Sequence, residues 1–424
     1  MEVTLNGYYT LILATLVLLL GRFLVKKVSF LENFNIPEPV AGGLVAAIVV
    51  YLLNLVWGFS FDFHQGLQTA CMLMFFASIG LSADFGRLKA GGTPLLVFTI
   101  VVSLFIVLQD VVGVAMASAL GLDPLLGLVT GSIALTGGHG TAGAWGTVLE
   151  QEYGVVGATT LGIAVATYGL VAGGLIGGPV ARRLISNLGL QPTPVNPNPS
   201  QVEKLAAEQS LYSTKHSEKE VSANKEMFEK PDNIRLITAS STIESLALFA
   251  AALAFADIMT LVAKGTWFEL PTFVWALAGG VIIRNVLTLV FNFEMFDRAI
   301  DVIGNASLSL FLAMALLSLK LWQLTDLAGP VLIILLVQTV VMIGYVYFVT
   351  FRIMGKDYDS AVLSAGHCGF GMGATPTAIA NMQAVTDRYL PSPKAFLIVP
   401  MVGAFFVDIV NATVLQIFTK LPFM

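Results

Sequence analysis

The sequence predicts an all-α polytopic membrane protein made of two five-helix repeats of inverted topology, each with a glycine-rich re-entrant segment. Composition, the spacing of the apolar runs and a motif that recurs in both halves predict it. The 424 residues are 56% hydrophobic and only 12% charged, with mean hydropathy +0.83. A soluble globular domain carries about 25% charged residues, so this chain lacks the charges to coat itself in water. With 22 basic against 27 acidic residues, net −5, and no basic stripe, nucleic-acid binding is excluded. Cys71 and Cys368 are the only cysteines, so no disulfide framework is possible.

A bilayer core needs about 20 apolar residues per helix. Ten runs qualify: about 5–25, 38–57, 67–84, 94–117, 155–180, 235–263, 271–291, 303–321, 328–351 and 395–418. The first is followed, not preceded, by Arg22, Lys26 and Lys27, so it reads as a retained span rather than a cleaved signal. None shows the alternation of an outer-membrane barrel strand. Placing the amino terminus outside puts every Lys and Arg except Lys264, Lys320 and Lys420 on the cytoplasmic side, which the positive-inside rule favours. Both termini are then periplasmic.

The polar stretch 186–233 carries Pro192, Pro194, Pro197 and Pro199 and then a charged run from Glu203 to Lys230. It reads as a cytoplasmic tether between a first membrane repeat, 1–185, and a second, 234–424. Ser132 to Gly143 lies without gaps on Ser360 to Gly371, matching at serine, leucine, glycine, histidine and glycine. Pro39 and Pro271 stand at similar distances upstream. Five spans per half is an odd number, so the second half starts from the opposite side, an arrangement common in secondary transporters.

Between the fourth and fifth spans of each half lies a segment too glycine-rich to cross: about 124–150, with Gly131, Gly137, Gly138, Gly140, Gly143 and Gly146, and about 358–388, with Gly366, Gly369, Gly371 and Gly373. Both read as re-entrant. Irregular backbone at membrane depth survives only where protein buries it or it lines a cavity. Glycine lets backbone N–H groups come close to a ligand, and short helices starting at such a tip aim their positive ends at an anion.

Charges inside spans are usually functional. Asp408 has Asn411 at i+3 on the same helix face; the pair suits either a substrate ammonium or Na⁺. Asp110, beside Gln109, reads equally as a helix-pairing group or as part of an ion path, whereas Glu244 and Asp257 read as packing or interface residues. His139 and His367 have no ligand spacing of the H-E-x-x-H kind, so each is expected to satisfy backbone groups at its tip. No serine sits in G-x-S-x-G, which argues against a hydrolase. A channel and a Na⁺:dicarboxylate carrier remain the rival readings.

The runs Leu135–Thr141, Ala365–Gln383 and Val399–Asn411, together with Ile36–Gly43 and Asn305–Ala315, resemble those of the bacterial sodium:glutamate symporters. The resemblance covers nearly the whole chain except roughly 190–227, a linker that looks long for that family. It implies a homodimeric, inner-membrane transporter that takes up L-glutamate with Na⁺ as coupling ion and without an organic cofactor, by alternating access of the elevator kind. On that basis Thr136, Gly137, Gly138, His139, Gly140, Thr141, Gly371, Gly373, Thr375 and Asp408 are expected to bind substrate. Ser132, Thr375, Asn381, Asp408 and Asn411 are expected to supply oxygens to Na⁺. Asp408 cannot fully serve both cations.

Overall fold

The computed structural model describes residues 2–34, 36–190, 237–266, 269–293, 295–319 and 327–421. The proline-rich and charged parts of the predicted tether, from 191 to 233, lie outside them. So does Lys320.

In the first half the helices are α1 (Gly7–Lys27), α2 (Ser29–Asn33), α3 (Glu38–Trp57), α4 (Gln65–Ser82), α5 (Phe85–Ala119), α6 (Pro124–Ile133), α7 (Gly138–Glu152) and α8 (Ala158–Leu188). The second half has α9 (Ala239–Ala263), α10 (Thr272–Phe291), α11 (Asp297–Leu317), α12 (Ala328–Ile353), α13 (Tyr358–Met372), α14 (Thr375–Thr386), α15 (Pro393–Met401) and α16 (Val407–Phe418). Eight of these are long and apolar enough to cross a membrane. The helix α4 follows the predicted run 67–84 closely but is not among the eight. The final run, 395–418, is split by a widened turn at Val402–Phe406. Helix α8 continues to Leu188, where Gly189 ends it in a left-handed conformation.

Local chemistry sets the starts. The Asn6 carboxamide accepts from the N–H groups of Tyr8 and Tyr9 to open α1, and Asp123 accepts from Leu125 N with Pro124 in the first turn of α6. Asp357 caps α13 through Ser360 N at 2.7 Å. Each cap satisfies donors that a helix end leaves unbonded. Helix α5 is interrupted at Gly92, whose φ of 62° breaks the ladder two residues before Pro94. The only strands among the described residues are β1 (Glu2–Thr4) and β2 (Ser60–Asp62), a short parallel pair that ties the start of α1 to the segment after α3. Three residues each are too few for an alternation pattern to be visible in the sequence.

The helices sort into two packed units that do not coincide with the two sequence halves. In one unit α4 packs against α10 and α11, α1 against α3, α3 against α11, and α9 against α10. In the other, α8 packs against α7, α13 and α14, while α5 packs against α6, α12 and α16. The first three long helices of each half thus form one unit, and everything after them in each half forms the other. The units touch where α7 meets α11 and where the widened turn Val402–Phe406 meets α4.

Where the chain first passes between units, a buried arginine holds it. Arg284 of α10 is only 5% exposed. Its Nη2 contacts Asp84 Oδ2 at 3.2 Å and its Nη1 pairs with Asp297. Beside it, Asn285 Nδ2 donates to Ala83 O, and Phe85 N donates to Asn285 Oδ1. Arg284, which the sequence reading counted among the cytoplasmic-side charges that set orientation, is therefore a structural clamp at the α4–α5 junction.

Candidate functional site

Two broken helix pairs meet in the second unit. Helices α6 and α7 have 10 and 15 residues, and α13 and α14 have 15 and 12; each is shorter than a span requires. The first pair turns through residues 134–137, the second through Gly373, which leaves the helical region, and Ala374, which is extended. Gly138 begins α7 at φ 67°, and a Cβ built there would lie 3.3 Å from Gly373 O. The two turns are therefore in contact. Gln109 Nε2 donates to Gly371 O at 3.1 Å, and the Thr136 hydroxyl lies 2.6 Å from Gln109 Oε1 and 3.0 Å from Gly371 O, which fastens one tip to the other.

A cavity of about 490 Å³ opens beside this junction, within the range of small-ligand sites. Thr136, Gly137, Gly138, His139, Gly140, Gly373, Thr375, Thr377 and Asp408 line one side. The first N–H groups of α7 and α14 have no intrahelical acceptor there, and both helix ends carry partial positive charge. The Asp408 carboxylate faces the cavity without an ion-pair partner among the described residues. Thr377 Oγ1 is buried and unpartnered. Phe75, Ile79, Leu308 and Leu312 from the other unit form a largely apolar opposite wall, which Pro37–Pro39 extends toward the first turn of α3.

The expected substrate residues are thus mostly gathered, with two exceptions. Thr141 lies one turn into α7, so its side chain is folded back under the tip against Gly137 and does not line the cavity. Gly371 is occupied by the two contacts to its carbonyl. The expected Na⁺ ligands separate into three places. Thr375 and Asp408 line the cavity, with Thr375 Oγ1 donating to Gly403 O at 2.8 Å. Ser132 and Asn411 are joined directly, 2.6 Å between Oγ and Oδ1. Asn381 is spent on packing: its Nδ2 donates to Gly173 O and Ala365 O, between α8 and α13.

The histidines do not satisfy backbone groups as expected. His139 Nε2 is 3.0 Å from Thr167 Oγ1, whose own hydrogen goes to Ile163 O, so Nε2 is the donor. His367 sits outside the cavity, bonded to Thr350 Oγ1 and boxed by Phe98, Phe105, Tyr345 and Phe370. Glu244 and Asp257 are exposed on α9. The apolar wall escaped the sequence reading, although its residues lie beside or inside segments quoted for the resemblance: Pro37–Pro39 in Ile36–Gly43 and Leu308–Leu312 in Asn305–Ala315.

Alanine at Gly138 adds a side chain to a left-handed backbone, which costs about 1–2 kcal/mol, and narrows the gap to Gly373 O. The expected result for Gly138→Ala is a folded protein whose substrate half-saturation rises about 5- to 30-fold. Uptake measured over a range of substrate concentrations reads this, and an unchanged value would remove the tip from the site.

A multi-pass helical protein whose broken helices border a cavity between two packed units has the build of a membrane transporter. The chain belongs to the sodium/glutamate symporter family, whose model matches residues 3–391. It is 51% identical to the sodium/glutamate symporter of Haemophilus influenzae over 98% of both chains. It is 52% identical to that of Escherichia coli K12 over 97% of both. Its relatives are transporters, not enzymes. Among solved structures, the sodium proton antiporter MjNhaP1 from Methanocaldococcus jannaschii aligns over 97% of this chain and 96% of that one, at 12% identity and TM-score 0.42, a likeness too distant to inform the site.

Proposed function

We propose that this protein is a Na⁺-coupled importer of L-glutamate in the bacterial inner membrane. The observation that carries the reading is the cavity at the joined tips. Two helix N-termini and the glycine backbone suit the two carboxylates of glutamate, and Asp408 beside them suits its α-ammonium. A dicarboxylate without an ammonium would leave Asp408 unpaired, so the geometry favours the amino acid over that rival. Family membership and the two close relatives support the same substrate and coupling ion.

The transport step is an elevator movement. Its support is the uneven lining of the cavity: the polar groups belong chiefly to the second unit, and the first unit offers mostly an apolar wall. A carrying unit that keeps its ligand contacts can slide along such a wall. The two tips are read as re-entrant segments of two inverted repeats, consistent with the same order of elements in each half. With the amino terminus outside, the first turn of α3 is cytoplasmic and the cavity extends inward. The chain acts as a homodimer held through the first unit, and the resemblance is the ground for that.

Glutamate brings net −1 toward a negative interior, and each Na⁺ contributes about 2.3 kcal/mol per 100 mV. More than one Na⁺ per glutamate makes uptake electrogenic. Proteoliposomes loaded without Na⁺ are expected to accumulate labelled L-glutamate when Na⁺ is added outside, with an inward current, and to resist competition by succinate. Uptake without current would refute the stoichiometry. A folded protein that accumulates nothing with Na⁺ would refute the substrate.

A further inference from the structure

Asp110 lies in the middle of α5 and is fully buried. No basic side chain among the described residues pairs with it. Its Oδ1 accepts from Ser132 N at 2.8 Å, and its Oδ2 is 2.9 Å from Ser132 Oγ. That same Oγ is 2.6 Å from Asn411 Oδ1. The carboxamide is oriented by its other atom, since Asn411 Nδ2 donates to Ser132 O at 3.1 Å. With the carboxyl ionised, these three oxygens share one hydrogen, so one of the two short contacts has no proton to make it a hydrogen bond, whereas a protonated carboxyl satisfies both. An isolated buried carboxylate is costly in itself. The backbone is shaped to admit it: Gly131 leaves the helical region, and a Cβ there would fall 2.8 Å from Asp110 Oδ1.

We infer that Asp110 Oδ2, Ser132 Oγ and Asn411 Oδ1 are ligands of a coupling Na⁺, with Asp110 supplying the negative charge. This rests on the Na⁺-coupled reading above and assigns its ion to a place distinct from the cavity. A hard cation takes oxygen ligands of this kind, and one carboxylate with two neutral oxygens matches a single positive charge. Asp408 is then left to the substrate ammonium, which resolves its double role. The two sites share elements: Asn411 is one turn from Asp408 on α16, and Ser132 is one turn from Thr136 before the first tip. A Na⁺ bridging α5, α6 and α16 fixes the last helix against the tip and so sets Asp408 in register with the amides. Linkage requires that glutamate in turn tighten Na⁺ binding.

The test is thermal unfolding of the purified full-length protein in detergent, without glutamate, titrated with NaCl or choline chloride. The wild type is expected to gain stability saturably with Na⁺ and not with choline. Asp110→Asn is expected to lose that gain, Ser132→Ala and Asn411→Ala to shift its half-saturation at least tenfold, and Asp408→Asn to keep it. A full Na⁺ response in Asp110→Asn, its loss in Asp408→Asn, or a wild type stabilised by acid rather than by Na⁺ would overturn the assignment. If Asp110→Asn does not fold, Ser132→Ala decides, and an unchanged half-saturation overturns the site. Wild-type glutamate uptake is scored separately. Absent uptake with the Na⁺ pattern intact refutes the substrate alone, whereas normal uptake with a Na⁺ response indifferent to these variants refutes the ion site alone.

Discussion

Asparagine in place of Asp408 is expected to abolish Na⁺-driven glutamate uptake, by 100-fold or more at substrate concentrations that half-saturate the wild type. The carboxylate faces the cavity with no ion-pair partner among the described residues, so its charge is available to a ligand. A hydrogen bond to a charged partner is worth about 1.5–3 kcal/mol, and losing the charge removes the long-range attraction as well. Asparagine keeps the size and one acceptor, so the fold and the cavity shape should persist. Labelled uptake into proteoliposomes, with unfolding temperature as the control for integrity, checks it. Wild-type uptake by the variant would remove Asp408 from the site.

The second large effect concerns stability. Arg284→Met is expected to destabilise the protein by about 3–5 kcal/mol, the usual cost of removing one partner from a buried ion pair. Methionine fills much of the volume but leaves Asp84 and Asp297 without the guanidinium. The same change frees Leu81 O, which accepts from Nη1 at 3.4 Å. Adding Asp84→Asn and Asp297→Asn to the methionine variant should recover part of the loss, because the stranded charges are then gone. Urea or thermal unfolding in detergent reads both. A methionine variant as stable as the wild type would mean that the clamp contributes nothing.

Much of this was legible in the chain because membranes impose simple rules. Apolar length revealed α3 and α10 nearly to the residue and α1 and α9 within a few residues. Glycine density revealed the two tips, and the expected start of the first segment at about 124 is where α6 begins. Asp408 stood out as an acid in an apolar helix. What stayed hidden depends on which helices meet. Ser132 and Asn411 were both suspected, but their union with Asp110 needs α5, α6 and α16 brought together across 279 residues between the serine and the asparagine. Thr375 and Asn381 are six apart on one short helix, yet the helical turn sends one to the cavity and the other into α8. The wall of Phe75, Ile79, Leu308 and Leu312 carried no signal either, because in a membrane chain leucine and phenylalanine look alike whether they face lipid, core or cavity.

That wall has a pharmacological consequence. A glutamate analogue would be gripped through its charged groups by the tips and Asp408, leaving its methylene side toward Phe75 and Leu308. An aromatic or branched extension on that side would bind by apolar burial, worth roughly 25 cal/mol per Å², while reaching across the seam between the units. On the proposed elevator reading, such a compound would be held more tightly than glutamate yet could not be carried, since it would wedge the moving part against the stationary one.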